Sequence, residues 1–129
     1  MTYEEINDEC NAIQDELQTL IPDDVNSVIE RAKVLAVFMS RTSYLLAEAK
    51  RMVRSKKSSE ISEMIIKIAK EGFLSAKAQN ALVDTIAADE LYLADRLDRL
   101  NAACTHTIEL CRSIISKEKA EMAYLHFQK

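Results

Sequence analysis

Four side chains of the types that bind transition metals lie close together near the end of the sequence. Cys104, His106, Glu109 and Cys111 fall within eight residues. On a helix the two cysteines share one face, whereas His106 projects away from that face and pairs by position with Glu109. A di-iron helical site needs Glu-x-x-His motifs on inward faces, and the apolar stripes here carry none. The spacing favours core thiols beside a surface ion pair, and we expect no metal.

Residues suited to catalysis are equally sparse. The sequence has no glycine-rich phosphate loop and no nucleophile elbow, and His126 lies far from Cys104 along the chain. Solvated helix faces account for the many carboxylates, because nothing in the pattern places two of them in an apolar pocket. We expect a protein that is not an enzyme and that binds no cofactor.

A basic ridge is the strongest candidate for binding. It comprises Lys50, Arg51, Arg54 and Lys57, and three of these positions recur at i, i+4 and i+7 on one helix side. Such a ridge can contact phosphates, so these are the candidate phosphate-binding residues. No aromatic residues interleave to stack bases, so sequence-specific or single-strand recognition of nucleic acid is not indicated.

The charge distribution offers a second interpretation of this ridge. Residues 1–30 carry nine acids and no base, and residues 31–77 carry eleven bases and four acids, within a net charge of −4. The basic ridge therefore either contacts an external polyanion or offsets the acidic first segment by internal pairing of helices. The sequence leaves both alternatives open.

Two long helices must position these residues. A heptad seam of alternating four- and three-residue steps predicts a helix over 24–57, and a second seam predicts one over 90–126. Neither stripe can be buried by its own helix, so we expect oligomerisation through both. The expected core and oligomer seam comprises Val28, Leu35, Met39, Leu46, Val53, Leu93, Leu97, Leu100 and Ile114.

Shorter helices complete the predicted fold. A Thr2–Glu5 capping box starts a helix over 3–21 that ends before Pro22, a third helix over 59–71 ends at Gly72, and a fourth covers 76–88. Phe73 and Leu74 are expected to plug an end of the bundle. A break or kink is expected near Asp89, where the apolar phase shifts by one residue.

The fold class is therefore all-α. One Gly and one Pro in 129 residues exclude a turn-rich strand fold, and the length suits a single domain over 1–129. We expect an elongated, antiparallel, coiled-coil-like helical bundle. The acidic start lacks a secretory signal, and the longest uncharged apolar run, between Lys33 and Arg41, is too short to span a bilayer. A cytoplasmic protein without a membrane partner is expected.

Two stretches resemble small all-helical proteins encoded by bacteriophages and prophages. These are MSRTSYLLAEAK at 39–50 and LADRLDRLNAACTHTIELCRSIISKEKAEM at 93–122. The second contains the residues that match the typical Arg-Leu-Asn, Thr-His and Leu-Arg pattern, with one inserted residue: Arg99, Leu100, Asn101, Thr105, His106, Leu110, Cys111 and Arg112. The resemblance implies a phage-derived protein of unassigned activity, from genes near those for DNA recombination and replication, and it transfers no catalytic residue.

Two functions follow as hypotheses. The first is a helical interaction module that forms homo-oligomers and binds a protein partner whose identity the sequence does not specify. The second is an accessory DNA-binding protein that uses the basic ridge. Salt separates the two, because binding to phosphates weakens steeply as salt rises whereas apolar helix pairing does not.

Overall fold

A computed structural model describes residues 1–127 of the chain, and these residues form helices and short connections without a β-strand. The all-α class predicted from the sequence is confirmed. The helices are α1 (Tyr3–Leu17), α2 (Val25–Lys57), α3 (Glu60–Glu71), α4 (Ala76–Ile86) and α5 (Ala88–Phe127).

Side-chain caps fix where the helices begin. The Thr2 hydroxyl accepts a hydrogen bond from the backbone N–H of Glu5, and the Asp24 carboxylate accepts one from the N–H of Ser27 at 2.9 Å. Ser59 and Ser75 cap α3 and α4 in the same way. Each cap satisfies a backbone donor that lacks a partner inside the helix. These four helices begin within one residue of the positions predicted from the sequence.

The end of α1 lies earlier than predicted. The helix ends at Leu17 rather than at residue 21, and Leu20, inside the predicted range, is 92% exposed. The buried Arg31 side chain donates hydrogen bonds to the carbonyl oxygens of Glu16, Thr19 and Leu20. These bonds give donors to carbonyl groups at the end of α1 and just beyond it, so a contact from α2 stabilises the early end of the helix.

Helix α3 ends where the sequence predicted, with Gly72 as its C-cap, but the left-handed residue of the turn is the one that follows. Gly72 has an ordinary negative φ, and Phe73 takes the left-handed conformation with a φ of 58°. The N–H groups of Phe73 and Leu74 bond to the carbonyls of Lys70 and Ala69, which is the Schellman pattern of a helix end. Phe73 is 95% exposed. The prediction that Phe73 plugs the bundle end is therefore wrong.

The helices α2 and α5 lie antiparallel along much of their length. Lys56 near the end of α2 contacts Glu90 at the start of α5, and Asn101 contacts Met39 near the middle of both helices. Helix α1 packs into the groove between them, where Ile6, Cys10 and Ile13 join a shared core with residues such as Leu35, Leu45, Leu93 and Leu97.

A polar contact fixes how α2 and α5 are aligned. The side-chain amide of Asn101 donates to the carbonyl of Met39, the hydroxyl of Thr42 and the hydroxyl of Ser43, at 2.9 to 3.1 Å. Thr42 is fully buried. A polar group at one place in an apolar seam disfavours shifted alignments, because every other alignment leaves the group without a partner.

The helices α3 and α4 form a hairpin at the end where α2 stops and α5 begins. The Ser62 hydroxyl donates to the carbonyl of Lys56 at 2.7 Å, and Lys57 forms an ion pair with Asp84 at 2.7 Å. The helix is interrupted at Ala87, two residues before the predicted position, and α5 begins at the next residue. The hairpin thus extends the end of the α2–α5 pair.

Candidate interaction surface

The predicted seams are covered within one chain. Six of the nine seam residues are buried in the structure: Val28, Leu35, Val53, Leu93, Leu97 and Leu100. Met39, Leu46 and Ile114 are half-buried. The pairing of α2 with α5 and α1 therefore provides the burial for which the sequence suggested further copies, and any additional contact between copies must use other faces.

Helix α3 carries an apolar stripe that faces outward. Ile61, Met64 and Ile68 are 63%, 62% and 62% exposed, whereas Ser62 and Ala69 are buried. These three large residues lie on one side because they are separated by three and four positions. We call them the α3 stripe. The sequence gave no indication that small residues would form the inward face of α3.

Charged residues occupy the exposed part of α3 that the stripe leaves free. Glu60 and Glu63 stand in the first turn of α3, while Lys67 and Lys70 stand in its second half. None of these four side chains makes an ion pair with another residue within 1–127. At 100° per residue Glu63 and Lys70 lie well away from the stripe, whereas Glu60 lies beside its start and Glu71 continues its line at i+3 from Ile68. Acidic side chains therefore stand at both ends of the stripe.

The last turns of α5 are a second exposed apolar region. Every residue from 119 to 126 is exposed, including Met122, Tyr124 and Leu125 at 62% to 65%. Because α2 runs antiparallel to α5, this segment lies at the opposite end of the molecule from α3. Two apolar surfaces therefore occupy opposite ends.

The basic ridge is divided by ion pairs. Arg51 pairs with Glu48 at 2.9 Å and Lys57 pairs with Asp84 at 2.7 Å, whereas Lys50 and Arg54 are exposed. The ridge side chains that do pair thus have carboxylate partners in α2 itself and in α4.

The acidic first helix has different partners from those of the ridge. Glu9 binds the Arg41 guanidinium through both carboxylate oxygens at 2.5 and 2.7 Å, and Glu16 contacts Arg31 at 3.4 Å. The Arg41 hydrogen bond holds the pKa of Glu9 below its usual value. These carboxylates of α1 therefore pair with arginines in the first half of α2 and not with the basic ridge.

The predicted metal-ligand types do not converge. Cys104 and Cys111 are buried, whereas His106 lies on the surface, where its Nδ1 stands 3.9 Å from a Glu109 oxygen. Burial raises the pKa of the Cys104 thiol. Over residues 1–127 no group of three or more His, Cys, Asp or Glu side chains is arranged to hold a metal ion.

A polar cluster between α1 and α5 was missed by the sequence reasoning. The Arg96 guanidinium donates to the amide oxygens of Asn7, Asn11 and Gln14 at 2.7 to 2.9 Å. It borders a groove of about 490 Å³ whose lining includes Leu17 and Arg99. The signal was present in the sequence, because these amide residues recur at i, i+4 and i+7 on one side of α1. Their role is to attach α1 to α5.

Comparison with protein families, with curated proteins and with solved structures finds no match to this chain. Separately, within residues 1–127 none of the helices is both long and apolar enough to cross a membrane.

Proposed function

We propose that this protein is a non-enzymatic helical interaction and assembly protein that forms homo-oligomers from elongated antiparallel bundles. The observation that supports this function is the α3 stripe, an amphipathic helix whose large apolar side chains point away from its own chain. Exposed apolar patches on soluble domains mark surfaces that bind other macromolecules. The phage or prophage origin suggested by the segments 39–50 and 93–122 is part of this proposal.

The free energy lost by leaving these apolar side chains exposed supports the proposal. Burying a large aliphatic side chain stabilises by about 1.5–3 kcal/mol relative to its exposed state, and Ile61, Met64 and Ile68 forgo most of this gain in an isolated chain. Contact with another protein surface recovers it. Since the seam residues of α2 and α5 already pack within one chain, the exposed end surfaces are where such contact brings the largest gain.

Sedimentation velocity combined with light scattering tests the proposal. We expect the purified protein to form dimers or larger oligomers at micromolar concentration and to dissociate on dilution. Raising the salt concentration should change this association little, because apolar contacts dominate it. A protein that remains monomeric up to the highest accessible concentration would contradict homo-oligomer formation.

A second candidate function is accessory DNA binding in phage recombination or replication. Lys50 and Arg54 favour it, because they are exposed and make no ion pair within residues 1–127. The quadruple change of Lys50, Arg51, Arg54 and Lys57 to Gln should then flatten the dependence of duplex binding on salt by about one unit of slope for each phosphate contact removed. Absence of duplex binding at low salt would exclude this function.

A further inference from the structure

We infer that α1 exchanges between two copies of this chain, so that the α1 of each copy lies in the groove between α2 and α5 of the other. We call this space between α2 and α5 the α1 groove. The inference rests on the proposed function, because it names the segment through which the homo-oligomer forms. Reciprocal exchange of an identical element between two chains closes at a twofold dimer.

The structure shows which helix the α1 groove accepts. Ile6, Cys10 and Ile13 of α1 enter the core that α2 and α5 form. The Arg96 guanidinium of α5 donates to three side-chain amide oxygens of α1. A helix without these amides would leave that guanidinium without its partners. A second copy supplies a helix of identical sequence, and it is therefore the occupant that the groove fits.

The link between α1 and α2 allows α1 to reach another copy. Helix α1 ends at Leu17 and α2 begins at Val25, so the link comprises residues 18–24. Only Ile21 and Pro22 of this link are half-buried, and its other residues are exposed. An extended chain of this length spans about 23 Å, and the residue before a proline favours an extended backbone. The link can therefore carry α1 away from its own chain.

Exchange conserves the contacts that hold α1. The surfaces that α1 covers remain covered in both copies, and the pairing of α2 with α5 stays within each chain. The ion pair of Glu9 with Arg41 joins α1 to α2, so in the exchanged dimer it joins one copy to the other. The dimer thus loses no packing of α1, and association opposes it mainly through lost freedom of motion.

Apolar surface near the link favours the exchanged state. Leu20 is 92% exposed, and Met122, Tyr124 and Leu125 are 62% to 65% exposed. The link and these residues of α5 lie at the same end of the molecule, because α2 begins where the antiparallel α5 ends. Two links that cross between copies bring these ends together. The dimer can therefore cover apolar surface that a single chain leaves in contact with water.

Complementary charge reversal tests the exchange in the full-length chain. Glu9→Arg and Arg41→Glu each place like charges at the contact of α1 with α2. In a mixed dimer that has exchanged α1, the substituted residue 9 faces the substituted residue 41, and the second contact is the wild-type pair. Both conflicts are therefore relieved only when one chain of each variant exchanges α1 with the other.

Native mass spectrometry at low salt reads the result. The two variants are mixed in equal amounts in urea, refolded together and separated by mass as mixed and unmixed dimers. Both side chains are partly exposed, at 33% and 42%, so we assign about threefold to each like-charge contact. Four conflicts relieved for every two mixed dimers then raise the mixed fraction from about one half, the value for random pairing, to about nine tenths.

A charge pair within one helix provides the matched control. Lys33 contacts Glu30 at 3.1 Å, and both residues lie on α2. Glu30→Lys and Lys33→Glu therefore keep their conflicts inside each chain in every arrangement, and their mixture should give about one half of mixed dimers. Should a variant at position 9 or 41 fail to fold alone, folding of the mixture carries the same information, because only exchange relieves both conflicts.

The outcomes separate this inference from the proposed function. A mixed fraction near one half for both pairs of variants overturns the exchange of α1, while homo-oligomer formation stands. Enrichment of the mixed dimer for the first pair alone supports the exchange. A protein that is monomeric in the wild type and in both mixtures overturns both proposals.

Discussion

Phe73 occupies a backbone conformation that suits glycine better. Its φ of 58° brings the Cβ close to the backbone, which costs a non-glycine residue about 1–2 kcal/mol. We expect Phe73→Gly to raise the free energy of unfolding of the monomer by about 1 kcal/mol, measured by urea unfolding at low protein concentration.

Gly72→Ala is the matched control for this variant. Gly72 has a φ of −84°, and a Cβ there would meet only the Ala69 and Ile68 carbonyl oxygens at 3.6 Å, an ordinary contact distance. We therefore expect no strain in this variant. A stability loss in Gly72→Ala together with no gain in Phe73→Gly would show that the left-handed position has been assigned to the wrong residue.

Asn101 connects α5 to α2 through a single amide group. Its Nδ2 donates to the Met39 carbonyl and to the Thr42 and Ser43 hydroxyls. We expect Asn101→Leu to lower the free energy of unfolding by about 1–3 kcal/mol, because the buried Thr42 hydroxyl loses its donor. The exposed Asn80 provides the control, and Asn80→Leu should change stability by less than about 0.5 kcal/mol in the same urea titration. Equal effects would mean that the amide contributes nothing specific.

The Glu9–Arg41 pair gives the stability a defined dependence on pH. Because the Arg41 hydrogen bond lowers the pKa of Glu9 in the folded state, the pair stabilises the protein above the ordinary carboxyl value of 4.5. This contribution is lost as pH falls through the lowered folded-state pKa. Both side chains are partly exposed, so Glu9→Gln should cost less than about 1 kcal/mol at pH 7 and nothing near pH 2. A difference from wild type that persists at low pH would contradict this assignment.

At the scale of the helices, the sequence predicted what depends on local periodicity. The bounds of α2 and α5 came within two residues because their apolar steps are regular and their starts or breaks have local signals. The end of α1 and the inward face of α3 were not predictable in the same way. Arg31 lies on another helix, and the contact of Ser62 with the Lys56 carbonyl depends on how the hairpin folds back.

The inner face of α2 should dominate the stability of the fold. Leu35 is fully buried and Val37, two residues away, is 66% exposed. We expect Leu35→Ala to lower the free energy of unfolding by about 2–5 kcal/mol, from lost burial and the cavity left behind. In the same denaturant titration Val37→Ala should stay within about 0.5 kcal/mol of wild type. Similar losses of stability in both variants would show that the buried side of α2 has been assigned incorrectly.

At the scale of the whole molecule, apolar surface is divided between an inner core and two ends. The seams indicated correctly which residues of α2 and α5 need covering, but periodicity alone cannot say whether the cover comes from the same chain or from another. Here α1 and the antiparallel pair provide it for residues such as Leu93 and Leu97. The exposed stripe of α3 was not predicted from the sequence, because the pattern of a short amphipathic helix does not say which of its sides packs against the rest of the chain.

The three buried cysteine thiols can report how the molecule opens, because they lie in different parts of the core. Cys10 and Cys104 lie in the core that α1 shares with the long helices, and Cys111 lies seven residues further along α5, outside that cluster. Detachment of α1 alone would expose Cys10 and Cys104 to a maleimide reagent, whereas global unfolding would expose all three thiols together. The order of modification, read by mass spectrometry, therefore distinguishes a partly open bundle from an unfolded chain without an added probe.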